Sequence, residues 1–85
     1  MNETDVRTLC AEVLAGIAPE ADLAAVGDDE DLRDALDLDS MDFLNFVIAL
    51  AGRSGVKIPE ADTPKLRTLR GVAAYLARAG QSTPR

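Results

Sequence analysis

The stretch LDLDSMDFLNFVIAL, residues 36–50, decides how this chain folds. Asp39 and Ser40 are both good N-cap residues, because their side-chain oxygens accept the amides that a first helical turn leaves unpaired. The run after them is the most apolar of the chain, and Gly52 and then Gly55 supply its stop. A helix is therefore predicted from Asp39 or Ser40 to these glycines. Met41, Phe43, Leu44, Phe46, Val47, Ile48 and Leu50 cover more than one of its faces. That distribution suits a helix central in a bundle, partly open to a partner, or both.

Working outward, Val6, Leu9, Cys10, Val13, Leu14 and Ile17 follow the i, i+3, i+4, i+7 spacing of one helical stripe. They predict a first helix from about Thr4 to Ala18, ended by Pro19. The segment PEADLAAVGDDEDLRDALDLD, residues 19–39, is too acidic and too interrupted by Gly27 to be one helix. It reads as an ordered loop tethered by Leu23, Val26, Leu32, Leu36 and Leu38, with one helical turn near Asp31 to Ala35. Beyond the central helix, Val56 and Ile58 precede Pro59, and EADTP leaves room for at most one helical turn before Pro64. Thr68 then caps a last helix that uses Leu69, Val72, Ala73 and Leu76 and ends near Gly80. The fold class expected is all-α: a small antiparallel bundle of three main helices plus one short helix, with a long loop after helix one. Residues 1–85 form a single domain, ordered over about 3–79 and frayed over 80–85.

A chain of 85 residues builds one thin core, since a domain of this size buries only about 60 to 65% of the surface its unfolded chain exposes. With 4% aromatic residues and no tryptophan, Ala and Leu must fill it. One cysteine and no histidine exclude a disulfide framework, a thiolate or imidazole zinc site, and Cys-His or Ser-His-Asp catalysis within the chain. Neither a catalytic residue nor a metal site is expected. No apolar run reaches the roughly 18 residues of a membrane span, and the start MNETDVRT lacks the features of a signal peptide, so a cytoplasmic protein is expected. Cys10 falls on the apolar stripe as a small hydrophobe, and Tyr75 is expected to pack with its hydroxyl at the surface.

The net charge of -6 argues against nucleic acid or an anionic membrane as partner and favours a basic protein. From Glu20 to Asp42 there are ten acids against Arg33 alone, whereas from Phe43 to Arg85 seven bases face Glu60 and Asp62. The molecule is accordingly expected to be polar end to end in charge. The run Asp28 to Asp31 reads as a solvated loop whose field speeds encounter with basic partners.

Ser40 is the residue most suited to chemistry. A serine at a helix start presents its hydroxyl beside unpaired amides and the positive end of the helix dipole, where an attached phosphodiester is stabilised. By itself Asp-Ser-Met is explained as well by capping alone. The wider pattern is more specific: Leu36 and Leu38 precede Asp39-Ser40, and Met41 and Asp42 follow. This resembles the phosphopantetheine attachment site of the acyl carrier protein family. GVKIP (Gly55 to Pro59) and LRTLRGVAAYL (Leu66 to Leu76) fall at that family's spacing for its third and fourth helices, so the resemblance covers nearly all of residues 3 to 79.

The resemblance implies that Ser40 receives 4'-phosphopantetheine from coenzyme A through a phosphopantetheinyl transferase that uses magnesium. The arm then carries an acyl intermediate as a thioester, the protein supplying attachment, display and recognition and not catalysis. Acyl- or aminoacyl-loading ligases and downstream transferases or synthases are the further partners implied, with the carrier a monomer. Asp39 is assigned both a capping role and a contact with the transferase; Met41 is assigned as an apolar knob read by partners; Asp42 is grouped with them.

The sequence departs from the family at several points. Asp37 stands three residues before the serine where glycine is common. Asn45 and Ala51-Gly52-Arg53 replace acids on the exposed face of the central helix, and Ser54 replaces an aromatic, so that Phe43 or Phe46 must supply core volume. These departures point to a dedicated secondary-metabolite (polyketide) or specialised lipid pathway. A peptidyl or aminoacyl carrier of the nonribosomal type and an unmodified, carrier-like docking module are the alternatives.

Overall fold

The N-terminal apolar stripe produces helix α1, Glu3–Ala15, in the computed structural model, which describes residues 3–82. Val6, Cys10, Val13 and Leu14 form its buried face. The helix does not continue to Ala18. The amides of Gly16 and Ile17 bond the carbonyls three residues back, Val13 at 3.2 Å and Leu14 at 3.0 Å, and this tightened turn ends α1 before Pro19 is reached. Burial pushes the Cys10 thiol up to about 12, against a smaller opposing pull from Arg7, so it is a core residue and not a nucleophile.

The long loop contains a 3₁₀ turn, Leu23–Ala25, that the sequence reading did not resolve, and then the short helix α2, Leu32–Leu36. Asp31 caps α2, its Oδ1 accepting the amides of Arg33 at 2.9 Å and Asp34 at 3.3 Å. Leu23, Val26, Leu32 and Leu38 are buried, which ties the loop to the core as their spacing suggested.

The acidic run Asp28–Asp31 lies at the surface, as the sequence reading had it, but three of its acids are ion-paired. Asp28 accepts from Arg7 at 2.9 Å, Asp29 from Arg70 at 2.6 Å, and Asp31 from Arg67, while the Glu30 carboxylate accepts the Gly27 amide at 2.6 Å. Arg7 also donates to the carbonyls of Leu23 and Val26. Main-chain bonds run beside these ion pairs: Leu32 N–H to the Arg67 carbonyl at 2.6 Å and Arg70 N–H to the Asp28 carbonyl at 3.0 Å. The end-to-end charge separation read from the sequence is thereby partly cancelled, because the fold lays bases of the second half against acids of the middle. Solvent screens such exposed pairs, so their weight lies in fixing the register of a loop that main-chain bonds and apolar anchors also hold.

Helix α3, Ser40–Ser54, buries Phe43, Phe46, Val47 and Leu50. Gly55 ends it in the left-handed conformation at φ 74°, its amide bonding Ala51 at 3.0 Å; Gly52 lies within the helix and not at its stop. Phe43 and Phe46, with ring centroids 6.1 Å apart, supply aromatic volume to the core, and Ser54 instead accepts the Val56 amide through its hydroxyl. The Arg67 guanidinium lies 5.9 Å from the centroid of the Phe43 ring. α1 packs on α3, with Arg53 and Glu12 paired between them.

After Pro59 a 3₁₀ segment runs Glu60–Leu66, longer than the single turn expected. Pro64 does not stop it, because a φ fixed near −65° already lies in the 3₁₀ range, and fully buried Leu66 anchors the end. The segment packs on α3 and on α4, Leu69–Ser82, which also packs on α1. Thr68 caps α4 by accepting the Gly71 amide at 2.9 Å. The backbone of α4 remains helical to Ser82, past the end expected at Gly80; the rest of the tail expected to fray, residues 83–85, lies outside the described residues. The Tyr75 hydroxyl is bonded and not simply at the surface: it donates to Asp62 at 2.7 Å, which raises its own pKa and lowers that of Asp62. Among the described residues every regular element is helical, giving an all-α bundle of three long helices with short helical pieces between them.

Two outcomes follow for stability. A methyl group on Gly71 would sit 2.2 Å from the Lys65 carbonyl oxygen, a main-chain atom, so α4 can start against the 3₁₀ segment only with glycine there. Gly71→Ala is expected to cost about 1–3 kcal/mol, read as a lower urea midpoint with an unchanged slope.

The second outcome is acid sensitivity. The Asp29 carboxyl is held below its ordinary 3.8 chiefly by the Arg70 bond, and Asp62 by the Tyr75 bond. At Asp31 partial burial, which raises the value, is outweighed by bonds from Arg67 and from the Asp34 and Arg33 amides. Depressed carboxyl values stabilise the fold above the unfolded pKa, and that contribution is lost as pH falls through the folded values. Urea midpoints are expected to hold above about pH 5 and to fall progressively below about pH 4, with a shallower fall in Asp31→Asn, which keeps the cap and removes the charge.

Candidate functional site

The approach to Ser40 is built by three successive backbone choices. α2 ends at Leu36, and Asp37 takes the left-handed conformation, φ 56° and ψ 46°, with its amide and that of Leu38 both directed to the Arg33 carbonyl. Asp37 thus occupies the conformation that glycine adopts without strain, and aspartate is among the few other residues that tolerate it. The side chain of Leu38 is buried and fixes the connection. Asp39 then turns to extended backbone at ψ 179° and caps α3, its Oδ1 accepting the Asp42 amide at 2.8 Å while its carbonyl accepts the Phe43 amide at 3.0 Å.

Ser40 is the first residue of α3 and is exposed. It stands between two buried anchors, Leu38 and Phe43, so its hydroxyl projects from a fixed backbone. The first-turn amides that Asp39 does not take have no carbonyl partner within the helix, which leaves a partial positive charge beside Ser40. Against it stand the carboxylates of Asp37, Asp39 and Asp42, within three residues on either side. An anionic group here is therefore opposed by side chains as well as favoured by the helix, and only a covalent bond would hold it in place. An accessible serine hydroxyl on a rigid first turn fits a covalently attached phosphodiester; the surrounding acids suit cationic visitors.

The other residues singled out from the sequence fall close by. Asp39 is exposed with its carboxylate used as cap, and Asp42 is half-buried in the first turn. Met41 is 63% exposed, on the opposite side of α3 from Phe43 and Phe46. Leu44 and Ile48, at 43% and 59%, continue its stripe; they were not singled out beforehand. The signal was present, since Met41, Leu44 and Ile48 are the apolar residues left over once Phe43, Phe46, Val47 and Leu50 are assigned to the core. Leu44 and Ile48 also border an open groove of about 360 Å³ between α3 and the 3₁₀ segment, with Val47, Ala51 and Ile58 along it. Among the described residues no helix is long and apolar enough to cross a membrane.

Comparison with known proteins accounts for this arrangement. The family described as the phosphopantetheine attachment site matches residues 4–76. The chain is similar to an acyl carrier protein of Streptomyces coelicolor, 32% identical over 80% of this chain and 74% of that one. It is similar also to an acyl carrier protein of Renibacterium salmoninarum, 35% identical over 80% of this chain and 91% of that one. A meromycolate extension acyl carrier protein of Mycolicibacterium aurum is 32% identical over 86% of this chain and 71% of the relative. With the match spanning the loop, the exposed serine and every helix packed around it, the chain belongs to the acyl carrier protein family, whose members are built around a phosphopantetheine attachment site.

Proposed function

We propose that Ser40 is the attachment point of the 4'-phosphopantetheine arm and that the protein is an acyl carrier, not an enzyme. The observation that carries this reading is the exposure of Ser40 at the first position of a helix whose cap, preceding turn and inward face are all fixed by other residues. When attached, the arm supplies a terminal thiol that holds an acyl group as a thioester, chemistry that no side chain of this protein provides. Ser40 holds the ester bond, Asp39 and Leu38 keep the turn in place, and Asp37, Asp39 and Asp42 attract basic surfaces. Met41, with Leu44 and Ile48 beside it, is the apolar contact for the transferase that modifies Ser40 and for the loading ligases and downstream transferases or synthases that use the carrier.

The pathway proposed is a dedicated one, for a polyketide or a specialised lipid. Its support is twofold. α3 bears exposed apolar residues and Asn45 where a general acidic docking face would stand, and one relative serves meromycolate extension. The relatives named above are acyl carriers, which favours an acyl over an aminoacyl cargo.

The deciding experiment is intact-mass analysis after incubation with coenzyme A, magnesium and a broad-specificity phosphopantetheinyl transferase. The parent is expected to gain one phosphopantetheine and Ser40→Ala none. Failure of the parent with this enzyme and with the host's own transferase would make the chain an unmodified docking module. Offering the modified protein to acyl- and aminoacyl-activating enzymes then reads the cargo class, and loading by an aminoacyl enzyme alone would replace the acyl reading. A further outcome concerns the apolar stripe: Leu44→Asp is expected to raise the transferase KM about tenfold, or about 1.4 kcal/mol, without lowering the thermal midpoint, because the side chain is exposed.

A further inference from the structure

Arg33 is the single base between Glu20 and Asp42, and it stands among Asp31, Asp34 and Asp37. Among the described residues it nevertheless belongs to no ion pair. Its half-buried side chain turns to the main chain instead, Nε donating to the Leu38 carbonyl at 3.4 Å. The Arg33 carbonyl in turn accepts the amides of Asp37 and of Leu38, the latter at 2.9 Å. One residue thus meets both main-chain polar groups of Leu38. Leu38 is 5% exposed, and main-chain groups so far from water need partners within the fold. The arginines that hold the long loop, Arg7, Arg67 and Arg70, direct their guanidinium groups to carboxylates, whereas Arg33 directs its own to the turn that leads to Ser40.

We propose that Arg33 is a positioning residue for Ser40, acting through the peptide that joins Leu38 to Asp39; the inference rests on the carrier reading of Ser40. The Leu38 carbonyl and the Asp39 amide lie in one rigid plane, so a donor on that carbonyl fixes the plane from which Asp39 departs. Asp39 then runs at φ −80° and ψ 179°, caps α3 by accepting the Asp42 amide at 2.8 Å, and is followed directly by Ser40. Before Leu38, Asp37 holds the left-handed conformation at φ 56°, which a residue other than glycine keeps only where its surroundings over-determine it. Arg33 supplies that constraint, being bonded to Asp37 and to Leu38 at once. In the transfer, the Ser40 oxygen bonds to a phosphorus of the coenzyme A pyrophosphate, the bond from that phosphorus to the departing adenosine bisphosphate breaks, and the serine proton passes to a base of the transferase. Arg33 makes none of these bonds; it holds the backbone of Ser40 at the angle from which they form. A turn free to swing would still bind the transferase but would present its oxygen in line less often.

Two substitutions separate the hydrogen bond from the charge. Glutamine carries an N–H the same number of bonds from the main chain as arginine Nε, whereas methionine fills similar space with no donor. Pantetheinylation is measured with coenzyme A, magnesium and a broad-specificity transferase. Arg33→Met is expected to lower kcat about fivefold or more with KM within about twofold of the parent, and Arg33→Gln to restore kcat to within about twofold. Amide exchange of the unmodified protein gives a readout free of the transferase. The Leu38 and Asp42 amides are expected to exchange about fivefold or more faster in Arg33→Met and at the parent's rate in Arg33→Gln, with Cys10 and Val72 in the core unchanged in both. Equal kcat losses in the two variants, a change in KM alone, or kcat and exchange within about twofold of the parent in Arg33→Met would overturn the proposal. So would faster exchange at Cys10 and Val72 matching that at Asp42, which would make Arg33 a residue of general stability. If the parent itself is never modified at Ser40, the carrier reading fails, and the exchange comparison still decides whether Arg33 holds the turn.

Discussion

The acidic loop between α1 and α3 adopts one shape because three arginines from other parts of the chain close on it. Arg7 reaches it from α1, Arg67 from the end of the 3₁₀ segment and Arg70 from the start of α4, each meeting a different aspartate. A loop of this length with so much like charge would otherwise repel itself and pay its ordering entropy with little return. Pairing turns the repulsion into attachment, and the accompanying main-chain bonds at Leu32 and Arg70 set the register. The position of α2, the left-handed turn at Asp37 and the cap at Asp39 all follow from where that loop is held.

The central helix serves two purposes through its two faces. Phe43, Phe46, Val47 and Leu50 give the small core its only buried aromatic rings and its contribution from α3, while Met41, Leu44 and Ile48 stay exposed beside the Ser40 turn. Removing any of the inward set would open a cavity in a domain with little core to spare. The outward set is dispensable to the fold and so is free to be shaped by what the carrier must touch.

Much of this was legible in the sequence because it is local. The cap at Asp39, the helical turn after Asp31, the cap at Thr68 and the burial of Cys10 each follow from residue type and spacing within a few positions. What escaped depended on contacts between distant segments. Nothing near Asp28–Asp31 reveals that Arg7, Arg67 and Arg70 will arrive, so the run reads as solvated when taken alone. The early end of α1, the continuation of the 3₁₀ segment through Pro64 and the extension of α4 past Gly80 are boundary effects decided by packing over propensity. At the site, Ser40 and Met41 stood out by pattern. Leu44, Ile48 and the bond from Arg33 to Leu38 emerged only when the core had claimed its residues and the loop its path.

Arg67 makes three contacts at once: its guanidinium meets the Asp31 carboxylate and the Phe43 ring, and its main-chain carbonyl accepts the Leu32 amide. Its Nε is buried, with no hydrogen-bond partner among the described residues, while the side chain as a whole is 39% exposed. The loop cannot lift without exposing one face of Phe43, three residues after Ser40. Opening of the loop is therefore coupled to exposure of that ring, and amide exchange at Leu32 is expected to be slower than in a free surface loop.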